Sequence, residues 1–258
     1  MSRTQSPADR LAEILLEDDP TDALWASVEA GEMAELVPDF LLLRMEQDPI
    51  HRHKDVLAHT IAVTAKTRPE LIVRMAAFFH DIGKPRTKRI IDGEVTFRHH
   101  EAVGARMVRK HLPTMGFDDE TVETVSRLVE LSGRFKGYAD GWSDSAVRRY
   151  ARDAGPLLGE LNHLVRSDCT TKNPRKVQAL QAAMDDLEYR IVELAREDAR
   201  ARERPDIDGA EVMEFLDVPP GPQVGEALRF LLEEKRRDGA LGREEALRRL
   251  KVWWADRE

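Results

Sequence analysis

The chain is most constrained at Arg74 to Lys88, RMAAFFHDIGKPRTK, where His80 and Asp81 stand side by side at the end of an apolar run. Met75, Ala76, Ala77, Phe78 and Phe79 before the pair read as a buried helix. Gly83 suits a left-handed C-cap and Pro85 forbids continuation, so the helix is predicted to stop within a residue or two of the pair. An imidazole and a carboxylate in a largely apolar setting are costly, roughly 2–7 kcal/mol for an uncompensated neutral polar group and more for the charge. A metal ion is the commonest partner that satisfies both.

The rest of the composition sets few other limits. With 258 residues, 41% of them hydrophobic and 34% charged, the chain can build one large or two small domains, and its wealth of Ala, Leu, Glu and Arg favours helix. No run approaches the roughly 18 apolar residues that span a bilayer. The opening MSRTQSPADR lacks the apolar core of a signal peptide. The one cysteine, Cys169, allows neither an internal disulfide nor a Cys-rich zinc site, in keeping with a reducing compartment. These features predict a cytoplasmic protein without a membrane partner. A formal charge of −8 argues against non-specific nucleic-acid binding over the whole surface, although a local basic strip remains compatible with it.

Along the chain, periodicity predicts a helical lead-in over 1–47, a central helical domain over 48–172, a long connecting helix over 173–204 and a helical tail over 205–258. In the lead-in, Leu11, Ile14 and Leu15 mark one helix and Thr21 or Asp22 caps the next. The stretch DPIHRHKDVLAHT, Asp48 to Thr60, holds three of the eight histidines. His51 and His53 fall on a loop, while His59 lies on or beside the apolar stripe of Val56, Leu57, Ile61 and Val63. A histidine there reads either as a satisfied core residue or as a ligand, and His80 and Asp81 on the next helix favour the second. Asp92-Gly93 between Ile90-Ile91 and Val95-Thr96 signals a small hairpin. Gly104, inside the helix begun by HHEAVGARMVRKHL, reads as a close-packing position.

Asn173-Pro174 opens the longest periodic run: Val177, Leu180, Met184, Leu187, Ile191 and Leu194 are spaced 3, 4, 3, 4 and 3. This stripe over 177–194 either packs on the body of the protein or offers a face for a homodimer. The tail carries a basic strip, Arg236, Arg237, Arg248, Arg249 and Lys251, beside Trp253-Trp254.

His59, His80, Asp81 and Asp168 together supply two nitrogen and two oxygen ligands, a set that suits one divalent transition metal, Mn, Fe, Co, Ni or Zn, better than Mg or Ca. Asp81 and Asp168 would serve both metal and reaction, with Asp168 orienting a water. Lys84, Arg86 and Lys88 put positive charge where a phosphate would approach, although Arg86 and Lys88 read equally as a solvated turn.

The same residues resemble the pattern of the HD-domain metal-dependent phosphohydrolases. The wider string is similar to the C-terminal HD-bearing half of bacterial tRNA nucleotidyltransferases, the CCA-adding and poly(A) polymerase family. DPIHRHKDVLAHT, FFHDIGKPRT, GEVTFRHHEAVGA, DSAVRRYARDAGP, RSDCTTKN, DGAEVM and PGPQVGEAL carry that resemblance from about Ala8 onward. It implies an all-α HD-domain bundle at 48–172, one metal site, and an RNA-contacting body. It also implies hydrolysis of a nucleotide or RNA-end phosphate, either a phosphomonoester or a 2′,3′-cyclic phosphate. His53, His100, Glu101 and Arg86 would face the substrate or hydrogen-bond the ligands.

Two departures shape the expectation. No Gly-Ser dipeptide occurs, and Asp206-Ile207-Asp208 stands in a Pro-flanked stretch, so this chain by itself is not expected to add nucleotides. Ser132 stands where the family often has a histidine that, with one near His100, serves a second metal, which favours a single ion. The alternative function is a tRNA-binding body that partners or regulates a separate nucleotidyltransferase.

Overall fold

A computed structural model of the chain describes residues 5–46, 55–92 and 94–256. Those residues are all-α apart from one two-stranded antiparallel hairpin. They form two compact units, Met1–Ile191 and Val192–Glu258. No helix among them is long and apolar enough to cross a membrane.

The first unit begins with α1 (Pro7–Leu15), α2 (Thr21–Glu29), α3 (Glu32–Leu36) and a 3-10 helix at Pro38–Leu43. Ser6 and Asp9 cap α1 reciprocally, an arrangement typically worth about 1 kcal/mol. The expected cap of α2 by Thr21 or Asp22 is replaced by Asp19, whose carboxylate accepts the Thr21 backbone N–H at 3.0 Å. Leu11, Ile14, Leu24, Met33 and Phe40 are buried in one core with Phe78 and Phe79, and Phe40 stacks on Phe78 at 4.0 Å. Arg74, buried behind them, donates to the carbonyls of Leu15, Glu17, Asp18 and Thr67 at 2.7–3.1 Å, which satisfies the end of α1.

Next come α4 (Val56–Lys66), capped by Asp55, and α5 (Leu71–Phe79), which pack on each other. As predicted, α5 stops at the His-Asp pair, but Gly83 is not the left-handed residue expected there. Its φ is −80°, and Pro85 stands in the first turn of the short α6 (Lys84–Thr87) rather than ending α5. Glycine is required for space: a Cβ at position 83 would overlap the carbonyl oxygen of His100 and approach the Gly104 nitrogen to 2.8 Å. The hairpin β1 (Arg89–Ile91) and β2 (Glu94–Thr96) pairs Ile90 with Val95 and turns through Asp92, at φ 53°. It leads into α7 (His100–Met115), which packs along α8 (Asp119–Leu131). Gly104 is the predicted close contact, with room for a Cβ only at 3.2 Å from Val129 and 3.3 Å from Ile82.

One ion-pair corner fixes α6. Asp39 accepts from Arg86 at 2.9 Å and meets His111 Nε2 at 2.8 Å. Burial by itself would raise the Asp39 pKa, but Arg86 and His111 hold it below the usual carboxylate value. A depressed folded-state pKa contributes stability above the unfolded value, roughly 3.9, that is lost as the pH falls through the lower folded value. The Asp39→Asn variant should therefore lose less stability than wild type below about pH 4, as read by urea denaturation between pH 3 and 6.

α9 (Asp144–Ala154), capped by Ser143, and α10 (Leu158–Ser167) complete the wall around α5, α8 and α4, and α11 (Pro174–Arg202) follows. Arg166 binds Gln181, Asp185 and Glu188 on α11, while Asn162 binds Tyr150 and Glu188. Met184 and Leu187, at the centre of the heptad stripe, are fully buried within this single chain. The centre of the stripe is therefore covered by the protein's own body, with Val177, Leu180 and Ile191 partly buried beside it, and nothing in its packing calls for a second copy of the chain.

The second unit contains α12 (Gly209–Leu216), α13 (Pro222–Asp238) and α14 (Arg243–Ala255) around Val212, Ala227, Leu231 and Leu250. The basic strip is largely neutralised. Arg236 pairs with Glu203, Arg237 with Glu234, Arg248 with Glu245, and Arg249 with Glu234, Glu245 and Asp238. Trp253 stacks on Phe230 at 4.9 Å, so this tryptophan packs the unit.

Candidate metal centre

The end of α5 delivers His80 and Asp81 to one point, and two distant segments bring the other members of the group. His59 projects from the first turn of α4, and Asp168 follows the last turn of α10. His59 Nε2 lies 2.9 Å from Asp168 Oδ1 and 3.7 Å from Asp81 Oδ2. His80 Nε2 lies 3.2 Å from Asp81 Oδ2 and 3.5 Å from Asp168 Oδ1. Donor atoms of His59, His80 and Asp168 all fall within 4.8 Å of one another, as one ion requires. Asp81, 2% exposed, faces both imidazoles, and its Oδ2 also accepts from Lys84 Nζ at 2.6 Å.

The tautomers suit a metal. His80 Nδ1 is 2.6 Å from the Ala77 carbonyl, which can only accept, so Nδ1 carries the proton. Its Nε2 is left buried and without a hydrogen-bond partner, between two carboxylates and a second imidazole. An orphaned buried nitrogen is costly unless something absent from the polypeptide binds it. Thr170 Oγ1 lies 2.9 Å from His59 Nδ1 and can accept its proton, which frees Nε2 to face the same point. Backbone or side-chain oxygens behind ligand imidazoles commonly fix them in this way.

The electrostatics carry the same demand. Burial alone would lower the His80 pKa, but Asp81 and Asp168 push it up to about 10. Burial would raise the carboxyl pKa values, yet His80, His100 and Lys84 hold Asp81 well below the usual range. His59 and His80 do the same to Asp168. Two carboxylates thus call for positive charge between them. A proton on His80 supplies it in the polypeptide alone, and a divalent cation supplies it while leaving the imidazoles neutral.

The group lies in a cleft of about 1140 Å³. His100, 7% exposed at the start of α7, donates through Nδ1 to the Phe97 carbonyl at 2.8 Å and turns Nε2 to within 3.4 Å of Asp81 Oδ1. Glu101 also lines the cleft but is paired with Lys136 at 2.8 Å, against Gly133, where a Cβ would displace its carboxylate. Ser132 reaches the cleft with its hydroxyl donated to the Val129 carbonyl at 2.9 Å. Arg86 does not join the group: it points to Asp39. His53 lies outside the described residues. Sequence reasoning missed Thr170, although it stands two residues after Asp168, and missed three cations at the cleft wall, Arg98, Lys136 and Lys172.

Comparison with known proteins places the chain in a family. The HD domain model matches residues 56–200. Over 256 residues the chain is 30% identical to a CC-adding tRNA nucleotidyltransferase of Thermus thermophilus, covering 95% of this chain and 56% of that protein. Over 211 residues it is 31% identical to an A-adding tRNA nucleotidyltransferase of Deinococcus radiodurans, covering 79% of this chain and 48% of that protein. The chain thus spans about half the length of the relatives it matches.

Proposed function

This chain belongs to the HD-domain family, and from that premise we propose that it is a metal-dependent phosphohydrolase or phosphodiesterase acting on a nucleotide or RNA-end phosphate. The observation that carries this reading is the buried, unpartnered Nε2 of His80, held between Asp81, Asp168 and His59. Two imidazoles and two carboxylates suit one ion of Mn, Fe, Co, Ni or Zn. The substrate is a phosphomonoester or a 2′,3′-cyclic phosphate, and the place of action is the cytoplasm.

When bound, such an ion supplies a Lewis acid for the phosphoryl group and lowers the pKa of water. The remaining work falls to the chain's own side chains. Lys84 is nearly buried, with its ammonium on Asp81 and 5.6 Å from the centre of the Phe97 ring, and it offers a fixed positive charge to a phosphate oxygen. Asp168, 47% exposed, is the ligand most open to the cleft and orients the attacking water. His100 turns Nε2 to the same space, and Arg98, Lys136 and Lys172 draw an anion towards it.

Elemental analysis of the purified protein should find about one transition metal per chain, and the metal-loaded protein should hydrolyse members of a phosphomonoester and cyclic-diester panel. Full hydrolysis by metal-free protein, or none by loaded protein, would sink the reading. The relatives' names favour a second reading, a tRNA-binding body that partners or regulates a nucleotidyltransferase. A gel shift with tRNA tests it, and loss of binding as salt rises is the outcome it requires.

A further inference from the structure

A second cavity, of about 240 Å³, takes no part in the chemistry above. Trp142, Tyr150, Arg134, Arg149 and Asp153 line it together with Lys136, and Lys136 also lines the metal cleft. The turn at Ser132–Lys136 is the wall between the two.

Trp142 is rigidly held. Tyr138 meets it edge-on with centroids 5.2 Å apart, Tyr150 lies tilted at 5.6 Å, and its carbonyl accepts from Arg190 at 2.9 Å. It is nonetheless only half-buried and borders the cavity. Asp153, the one acid in the lining, is matched by Arg134 at 3.4 Å. Arg149 is exposed and makes no ion pair among the described residues, while Lys136, 71% exposed, is held on its cleft side by Glu101.

The space is smaller than the roughly 300–1,000 Å³ of sites for drug-sized ligands, and it suits one planar ring system. A fixed aromatic ring beside an unpaired arginine and an exposed lysine is the combination that binds single-stranded nucleic acid, where the base stacks and the backbone phosphate meets the charge. A simple anion would leave Trp142 unused, and an apolar ligand would leave Arg149 unused.

We propose that this cavity takes the nucleobase of the nucleotide next to the terminal one, so that the metal cleft acts on the end of a single-stranded RNA rather than on a free mononucleotide. This rests on the phosphohydrolase reading of the cleft. Lys136 stands between the two cavities, where the phosphate linking the terminal nucleotide to its neighbour would pass.

The test is fluorescence anisotropy of a 5′-fluorescein RNA tetranucleotide ending in a 3′-hydroxyl, titrated with the intact protein. Wild type should bind this probe more tightly than adenosine 3′-monophosphate competes for it. Trp142→Ala should weaken binding about tenfold or more, from the roughly 1–3 kcal/mol of one stacked base. Trp142→Phe should restore most of the affinity, and Arg149→Gln, at an exposed position, should weaken binding in a protein that keeps its fold. Equal binding by wild type, Trp142→Ala and Arg149→Gln would overturn the proposal, as would competition by the mononucleotide at equal strength. The probe has no terminal phosphate to hydrolyse, so a failed hydrolysis panel and a failed stacking subsite give different results.

Discussion

Replacing Asp81 by alanine should remove the bound metal and lower hydrolysis by about a thousandfold or more, since a Lewis acid contributes several kcal/mol and each ~1.4 kcal/mol is tenfold in rate. Asp81 is buried at 2% exposure, and its Oδ2 lies 3.2 Å from His80 Nε2 and 2.6 Å from Lys84 Nζ. Alanine takes away one carboxylate facing the metal position and also strands the Lys84 ammonium, which is 8% exposed. Breaking a buried pair by removing one partner typically costs about 3–5 kcal/mol, so loss of fold must be separated from loss of site. Asp168→Asn makes that separation. Its side chain is 47% exposed and the amide keeps the shape of the carboxylate, so Asp168→Asn should depress metal content and hydrolysis at a smaller cost in melting temperature than Asp81→Ala. Metal content and rate measured on both variants decide the matter. Undiminished metal and turnover in Asp81→Ala would remove this centre from the chemistry.

The parts of this site that could be read in the sequence are those set by local pattern. The apolar run before His80 announces a buried helix that ends at the pair, although Gly83 and Pro85 do not end it in the way their residue types suggest. The i, i+3 and i+4 rule puts His59 near a buried stripe. Such patterns say which side of a helix is covered and stay silent on what covers it. Lys84 and Arg86, two residues apart on one short helix, look equivalent as cations, yet one turns inward to Asp81 and the other outward to Asp39, 47 residues earlier. The five basic residues of the tail advertise a cationic strip, and the i, i+3 partners of Arg237 and Arg248 on their own helices are legible in the sequence, while Glu203 beside Arg236, and Glu234 and Asp238 beside Arg249, become visible only in the folded unit. Periodicity shows equally well that Met184 and Leu187 need covering, but a partner chain and the protein's own body satisfy the same pattern. Thr170 and Lys136 escaped because a hydroxyl behind an imidazole and a lysine at a cleft wall have no spacing of their own.

The packing of the His-Asp turn against α7 sets the second large effect. Gly83→Ala should lower stability by about 3 kcal/mol, the upper end for overpacking a well-filled interior, and the melting temperature by about 6–12 °C, as followed by circular dichroism. At φ −80° the backbone accepts alanine without strain, so the whole cost is steric. The atoms in the way are the His100 carbonyl and the Gly104 nitrogen, both backbone, which cannot move aside as a flexible side chain can. Relief requires α7 to shift away from the turn and take His100 Nε2 from its place 3.4 Å from Asp81 Oδ1. Hydrolysis should therefore fall in the folded fraction too, although residue 83 holds neither metal nor substrate. Gly116→Ala is the matched control. Its φ is +103° with nothing within 4 Å of a Cβ, so it carries only the left-handed backbone penalty of about 1–2 kcal/mol, at the far end of α7 from the metal centre. If Gly83→Ala melted no lower than Gly116→Ala and kept full activity, the close approach of α7 to the turn would not be what positions His100.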